Sequence, residues 1–259
     1  MLIGERIADE IKNSKITEML EDLEKDPIEN MLSIYDIKFE RPKRSEIYFN
    51  DPRNYLILWN GLSPPTASIA AESDREVKEL LRKIKGIKCS FLVKPQFAEP
   101  IERKYRNMKK ENWLMFSVGK GNFTPIINQN VEFLEPKPEY AKQINQNWLY
   151  STKEDDFRFI LENMQKYPSC GIRRGDELLS HFIIMAETDK SSFLAGAYTK
   201  KEFRNEGMQT STTSLLTQNI LERGKTPCMH IVEGNAPSIR AVSKVGYRQF
   251  ATHVRFDPK

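Results

Sequence analysis

The sequence predicts an α/β protein, on three observations. Short apolar runs of strand length alternate with segments of helical period. Twice, at residues 66–93 and 193–232, a strand-like run leads to a helix, a glycine and a second strand. Between these units Pro136-Lys137-Pro138 can neither continue a helix nor donate to a ladder, which places a linker there. Two domains are expected, at 1–135 and 139–259.

The elements follow in order. Ile3, Ile7, Ile11, Leu20 and Leu23 recur at helical spacing, which predicts a first helix. Residues 32–39, 55–59 and 66–71 read as strands. Ser73-Asp74-Arg75-Glu76 is a capping box and opens a helix with Val77, Leu80, Leu81 and Ile84 on one face. Gly86 stops it, and 88–93 reads as a buried strand. Gly119-Lys120-Gly121 followed by Thr124-Pro125 reads as a hairpin turn. Beyond the linker, 140–149 and 153–166 read as helices, the second with a capping box from Ser151 to Glu154. Strands are expected at 169–173, 178–187 and 193–199. A long helix covers about 205–223, a strand 228–232, a short helix 237–244, and a last strand 247–256.

The composition is that of an ordinary globular chain of 259 residues. A formal net charge of +4 is small for this length and is no nucleic-acid signature. Three scattered cysteines make no disulfide framework, which suits a cytoplasmic location. The opening residues are quickly charged, which predicts no signal peptide, and no apolar run is long enough to span a bilayer. No membrane partner is therefore expected, and the oligomeric state is not readable.

The chemistry concentrates between residues 197 and 210. A strand ending in Ala197-Tyr198-Thr199 runs into a polar turn containing Arg204, Asn205, Glu206 and Gly207, and a helix begins with Met208-Gln209-Thr210. Such a turn aims several backbone N–H groups at one point, and the helix start adds partial positive charge. The product is a pyrophosphate site, with Gly207 allowing close approach because it has no Cβ. Alone, an Arg-x-x-Gly before a helix is more often a plain turn.

A second motif lies downstream. Strand 228–232 is followed by Asn235-Ala236-Pro237-Ser238, a short helix and Gly246-Tyr247. With both motifs in this order, residues 140–259 resemble the GNAT superfamily of N-acyltransferases, and look most like its glycine N-acyltransferase-like branch. The resemblance implies a mixed sheet flanked by helices, with the N-terminal half a second α/β domain and possible degenerate copy. It implies acetyl-CoA or another acyl-CoA as cosubstrate, an amine as acceptor, and no metal. The two strands around the long helix should run parallel and splay to admit the pantetheine arm. By the same resemblance Arg204, Asn205, Glu206, Gly207, Met208, Gln209 and Thr210 hold the cofactor, with Ala197 and Thr199 at the thioester and Asn235 and Ser238 beside the arm. Asn235 is equally a helix cap, and both roles can hold together. The loop ends in Gln209 where the family has Gly or Ala. The family's tyrosine acid falls on Val242, which donates no proton, so Tyr198 is the substitute proposed for it. No Arg-x-x-Gly loop follows Ala71, so the N-terminal half is not expected to bind CoA.

Other candidates read as structure. Gly224-Lys225-Thr226 ends a helix instead of opening one, unlike a phosphate-binding loop. Cys228 and His230 are two ligands at most, and packing is the better reading. His181 and Glu187, placed on one strand face, could act as base and orienter but read better as sheet residues. Two function classes remain open: an N-acyltransferase, and a catalytically weak acyl-CoA-binding module. A purely structural interaction protein is the weakest reading.

Overall fold

The computed structural model describes residues 3–148 and 154–259. The chain forms two compact units. Unit 1 takes the chain up to Asn60, Pro64–Glu111 and His253–Lys259; unit 2 takes Gly61–Ser63 and Asn112–Thr252. They do not divide at Pro136-Lys137-Pro138, which lies inside unit 2, where Pro138 occupies the first turn of a helix.

Unit 1 begins with helices α1 (Ile3–Leu23) and α2 (Met31–Tyr35). Strands β1 (Ser45–Asp51), β2 (Asn54–Trp59) and β3 (Thr66–Ala70) form an antiparallel meander. Helix α3 (Asp74–Lys83) crosses to β4 (Ser90–Val93), which runs parallel to β3, and α4 (Ala98–Lys104) follows. The other edge of β4 is filled by the end of β11 (Arg248–Pro258), where Val254 lies opposite Val93 and Phe256 opposite Phe91. β2 is buried on both faces: Leu56 and Leu58 pack with α3 residues, and Tyr55 and Ile57 with Ile16, Met19 and Ile34. The strand expected at 32–39 is instead α2 and a π-type turn over Asp36–Glu40. Met31, Ile34 and Ile37 recur at helical spacing and bury their side chains, which an alternating strand could not do on one face.

Unit 2 repeats this order. After β5 (Met108–Ser117) and β6 (Glu132–Phe133) come α5 (Pro138–Asn147) and α6 (Phe157–Lys166). β7 (Ser169–Arg174), β8 (Glu177–Glu187) and β9 (Ser191–Thr199) form the second meander. Helix α7 (Met208–Glu222) crosses to β10 (Thr226–Val232), parallel to β9, and α8 (Ala236–Lys244) follows. Two helices, three antiparallel strands, helix, parallel strand, helix: the two units share one topology. The free edge of β10 is taken by β5, with Cys228 opposite Ser117 and Val232 opposite Trp113. Each unit is thus completed by a strand that the other copy precedes or follows in the chain.

β5 does not turn back at Gly119-Lys120-Gly121 as expected. Its partner is the distant β10, so a 3-10 turn at Lys120–Asn122 replaces the hairpin, and the chain continues along α7. Ser151 of the predicted Ser151–Glu154 capping box lies outside the described residues, and the helix expected over 140–149 ends at Asn147. The capping box at Ser73 forms: its Oγ accepts from the Glu76 N–H at 3.4 Å and donates to the Glu76 carboxylate at 3.1 Å.

Alternation assigns the faces of the unit 2 sheet. Phe182, Ile184, Leu194, Met229 and Ile231 pack with Leu216 and Ile220 of α7. Their strand neighbours His181, Ile183, Phe193, Cys228 and His230 therefore face the side that carries α5 and α6.

Candidate functional site at the parting of two strands

The site is built by three departures from regular pairing. β9 and β10 pair from Ser191 opposite Thr226 to Leu194 opposite Met229, and no further. β9 continues to Thr199 bonded only to β8, and β10 continues to Val232 bonded to β5. The parallel strands thus part beyond Leu194, as the family resemblance implies. At that point β9 carries an extra residue. His181 pairs with Tyr198 but Ile183 with Ala195, so two β8 steps face three on β9. Gly196, at φ +65°, makes the bulge. An isolated glycine in a strand was the available signal. The bulge turns the backbone of Ala197 out of the ladder, and Ala197 is exposed.

The third departure is the β9–α7 loop. Asn205 has φ +69° and Gly207 φ +80°, and Asn205 is the one non-glycine with positive φ among the described residues. Gly207 caps α7 without any side-chain cap bond. The first-turn N–H groups of Met208, Gln209 and Thr210 have no partner inside the helix. Uncapped N–H groups, the helix dipole and left-handed loop residues together make an anion-binding geometry. The Arg204 Nε donates to the Thr199 carbonyl at 3.1 Å and closes the loop. Thr199 Oγ1 lies 2.9 Å from Ser180 Oγ and 3.5 Å from Gln209 Oε1, so Gln209 ties the helix start to the strand end. Glu206 is exposed, and Met208 is buried against Ile172 and Leu179.

Sequence reasoning missed the segment that braces this loop. Residues 126–129 run along α7: the Ile126 N–H donates to Ser214 Oγ at 2.9 Å and the Asn128 N–H to Ser211 Oγ at 3.2 Å. Ser211 Oγ donates to Asn128 Oδ1 at 2.8 Å, and Gln129 Nε2 donates to the Glu206 carbonyl at 2.7 Å. These bonds account for Ser211 and Ser214 in the hydroxyl-rich run Thr210-Ser211-Thr212-Thr213-Ser214, which is buried throughout.

Asn235 caps α8, accepting from the Ser238 N–H at 3.3 Å; Asn235 is exposed and Ser238 half-buried. Val242 is buried with Val245 and Tyr247 in the core under α7. Tyr198 is half-buried and stacks on His181, with ring centroids 5.6 Å apart and planes 27° apart. Burial pushes the His181 pKa down to about 4, against a small opposing effect of the Gly196 backbone, so the ring is neutral. His181 and Glu187 do not form a pair. A second bulge, on β8 between Ile184 and Ala186, breaks the alternation between them. Glu187 is held instead by Arg223 at 2.8 Å, Lys225 at 2.9 Å and Ser192 at 2.7 Å. Cys228 is a buried thiol whose pKa burial raises to about 12. Among the described residues no cluster of three or more His, Cys, Asp or Glu could hold a metal ion.

Comparison with known proteins agrees with this geometry. The family described as FR47-like protein matches residues 169–256, from β7 into β11. No curated protein matches the chain in sequence. A Drosophila protein of known crystal structure superposes with a TM-score of 0.73 at 16% identity, covering 95% of this chain and 96% of that one. A GCN5-related N-acetyltransferase-like protein from Streptococcus suis gives 0.61 at 13% identity, covering 84% and 90%. A tandem GNAT protein from the clavulanic acid biosynthesis pathway gives 0.57 at 10% identity, covering 94% of each chain. The chain therefore has the GNAT fold, and it superposes on a tandem GNAT protein over nearly its full length.

Proposed function

We propose that unit 2 transfers an acetyl or other acyl group from acyl-CoA to a primary amine. The observation that carries this reading is the coincidence of three features: strands that part after Leu194 and Met229, a bulge at Gly196, and an uncapped α7 start. The first makes room for an extended arm. The second turns a backbone segment toward it, and the third binds an anion at its end.

In this reading the loop from Arg204 to Thr210 holds the pyrophosphate. The backbone of Ala197 to Thr199 lines the pantetheine arm and stabilises the oxyanion as the amine attacks the thioester carbon. Asn235 and Ser238 lie beside the arm while Asn235 also caps α8. The Tyr198 hydroxyl protonates the leaving thiolate. Stacking on a neutral His181 supports this role by fixing the Tyr198 ring. Unit 1 is read as a copy without a CoA site, and the branch of the superfamily nearest this chain as the glycine N-acyltransferase-like one. Among the described residues no helix is long and apolar enough to cross a membrane; a cytoplasmic location remains part of the proposal.

One observation favours a second reading, an acyl-CoA-binding module with little turnover: the usual acid position is the buried, apolar Val242. Titration calorimetry with acetyl-CoA and CoA tests the binding common to both. Release of free thiol from acetyl-CoA with a panel of primary amines separates them. Absence of CoA binding by the folded protein refutes both.

A further inference from the structure

The peptide between Glu206 and Gly207 decides what the β9–α7 loop presents to an anion. In a trans peptide the C=O and the N–H point in opposite directions across one plane. Gly207 is left-handed, at φ +80° and ψ 5°, and Met208 opens the right-handed α7. A left-handed residue beside a right-handed one gathers successive N–H groups into one concavity, here those of Gly207, Met208 and Gln209. None of the three has an acceptor among the described residues. The Glu206 carbonyl must then point away from that concavity. Were the peptide to rotate, the carbonyl oxygen would take the place of the Gly207 N–H and oppose an anion there. Glycine itself does little to resist such a rotation, because it has no Cβ.

Gln129 does resist it. Its Nε2 donates to the Glu206 carbonyl at 2.7 Å, and among the described residues no other group does. The backbone that carries Gln129 is fixed in turn. The Gln129 carbonyl accepts from the Val131 N–H at 2.9 Å, and Thr124, on the other side, donates its N–H to the Val245 carbonyl at 3.0 Å. Between them, Ile126 and Asn128 are bonded to Ser214 and Ser211 of α7. The segment that holds the carbonyl is therefore anchored on the same helix whose first N–H groups it leaves open.

We propose that Gln129 is a positioning residue of the cofactor site. By holding the Glu206 carbonyl outward, it keeps the Gly207 N–H turned toward the pyrophosphate of acyl-CoA. This deepens the acyl-CoA reading of the same site and rests on it. Gln129 acts through the peptide, on the side of its plane away from the anion, and takes no part in bond making. Its neighbours on the segment differ from it in kind: the bonds to Ser211 and Ser214 stabilise the flank of α7, whereas the Gln129 bond sets the direction of a ligand-facing donor.

Titration calorimetry with CoA on the full chain tests this. Gln129→Met keeps the length of the side chain and removes its donor, and should raise the CoA Kd about tenfold, the loss of one well-aimed hydrogen bond, with a urea midpoint near that of wild type. Ser214→Ala removes a bond of the same segment away from the loop, and should lower the urea midpoint while leaving the CoA Kd unchanged. In protein labelled with 15N-glycine, the Gly207 amide resonance, assigned by its loss in Gly207→Ala, should move downfield when CoA binds to wild type. The assignment is overturned if Gln129→Met binds CoA as wild type does, if Ser214→Ala weakens CoA as much as Gln129→Met, or if CoA binds to wild type without moving the Gly207 amide. Wild-type protein that fails to bind CoA at all would refute the parent reading, a result distinct from binding that is indifferent to Gln129.

Discussion

Replacing Gly207 by alanine separates a ligand site from a turn. The residue has φ +80°, and a Cβ built there would lie 3.0 Å from both Nδ2 and Oδ1 of Asn128. The left-handed backbone costs a non-glycine residue about 1–2 kcal/mol. The contact adds less, because an exposed amide side chain can shift by a few tenths of an ångström, at some cost to its 2.8 Å bond with Ser211. The sum is about 2 kcal/mol, which lowers Tm by roughly 4–8 °C for a chain of this size. Gly175 supplies the control. It has φ +62° in the β7–β8 turn with nothing within 4 Å of its Cβ position, so Gly175→Ala should cost about 1–2 kcal/mol from backbone strain alone. Calorimetry with CoA then discriminates. Gly207→Ala should weaken CoA binding by about tenfold or more, since 1.4 kcal/mol is a factor of ten, and Gly175→Ala should leave it unchanged. If folded Gly207→Ala binds CoA with wild-type affinity, the anion does not sit at the start of α7.

Other outcomes follow from the same geometry. Tyr198→Phe should lower thiol release in the amine assay with little change in CoA Kd, because a proton donor acts in the transition state; wild-type turnover in the variant removes the acid role. Asn235→Ala should cost about 1 kcal/mol through the lost α8 cap, measured by urea unfolding; an accompanying fall in CoA affinity would add the cofactor contact, and unchanged affinity would leave only the cap. Val242→Tyr should destabilise by about 1–3 kcal/mol by overpacking the Val245–Tyr247 core, and a gain in turnover in the folded variant would revive the usual acid position. Burial holds the pKa values of His181 and His253 at about 4, below the unfolded value of about 6.5. The unfolded chain then binds more protons, so the stability is complete above about pH 6.5 and falls toward pH 4. Each histidine should cost about 2 kcal/mol between pH 7 and pH 5. Urea midpoints at the two pH values check this, and His181→Gln should flatten the slope.

The elements of the C-terminal half were largely readable because their signals are local. Arg204 to Thr210, Asn235 and Gly246-Tyr247 each describe a few consecutive residues whose backbone needs are written in their own identity. The structure places the first two where a strand ends and a helix starts. Long-range pairing was not readable. β5 carries no mark that β10 is its partner, so Gly119-Lys120-Gly121 looked like a hairpin turn although the chain never turns back there. Residues 32–39 look equally apolar as helix or strand, and only their neighbours Ile16 and Met19 decide. The His181–Glu187 reading failed for a countable reason: one bulge residue reverses the face of every side chain beyond it.

The shared topology also gives the physical reason for which we propose a site in unit 2 and not in unit 1. A helix start has one set of unbonded N–H groups, and the fold or a ligand can use it. In unit 1, β3 ends at Ala70 and α3 starts at Asp74, so the connection is too short for a loop. Ser73 takes the Glu76 N–H, and Asp74 and Glu76 put carboxylates in the first turn, where they stabilise the helix dipole and repel any phosphate. In unit 2 the connection lengthens to run from Lys200 to Gly207, the cap is a glycine with no side chain, and no acidic residue occupies the first turn of α7. Leaving that helix uncapped has a cost, and the bonds of Ile126 and Asn128 to Ser214 and Ser211 offset it from the side. A brace along the flank stabilises α7 without covering its end with a cap, so the helix can be held in place while its first N–H groups stay available to an anion.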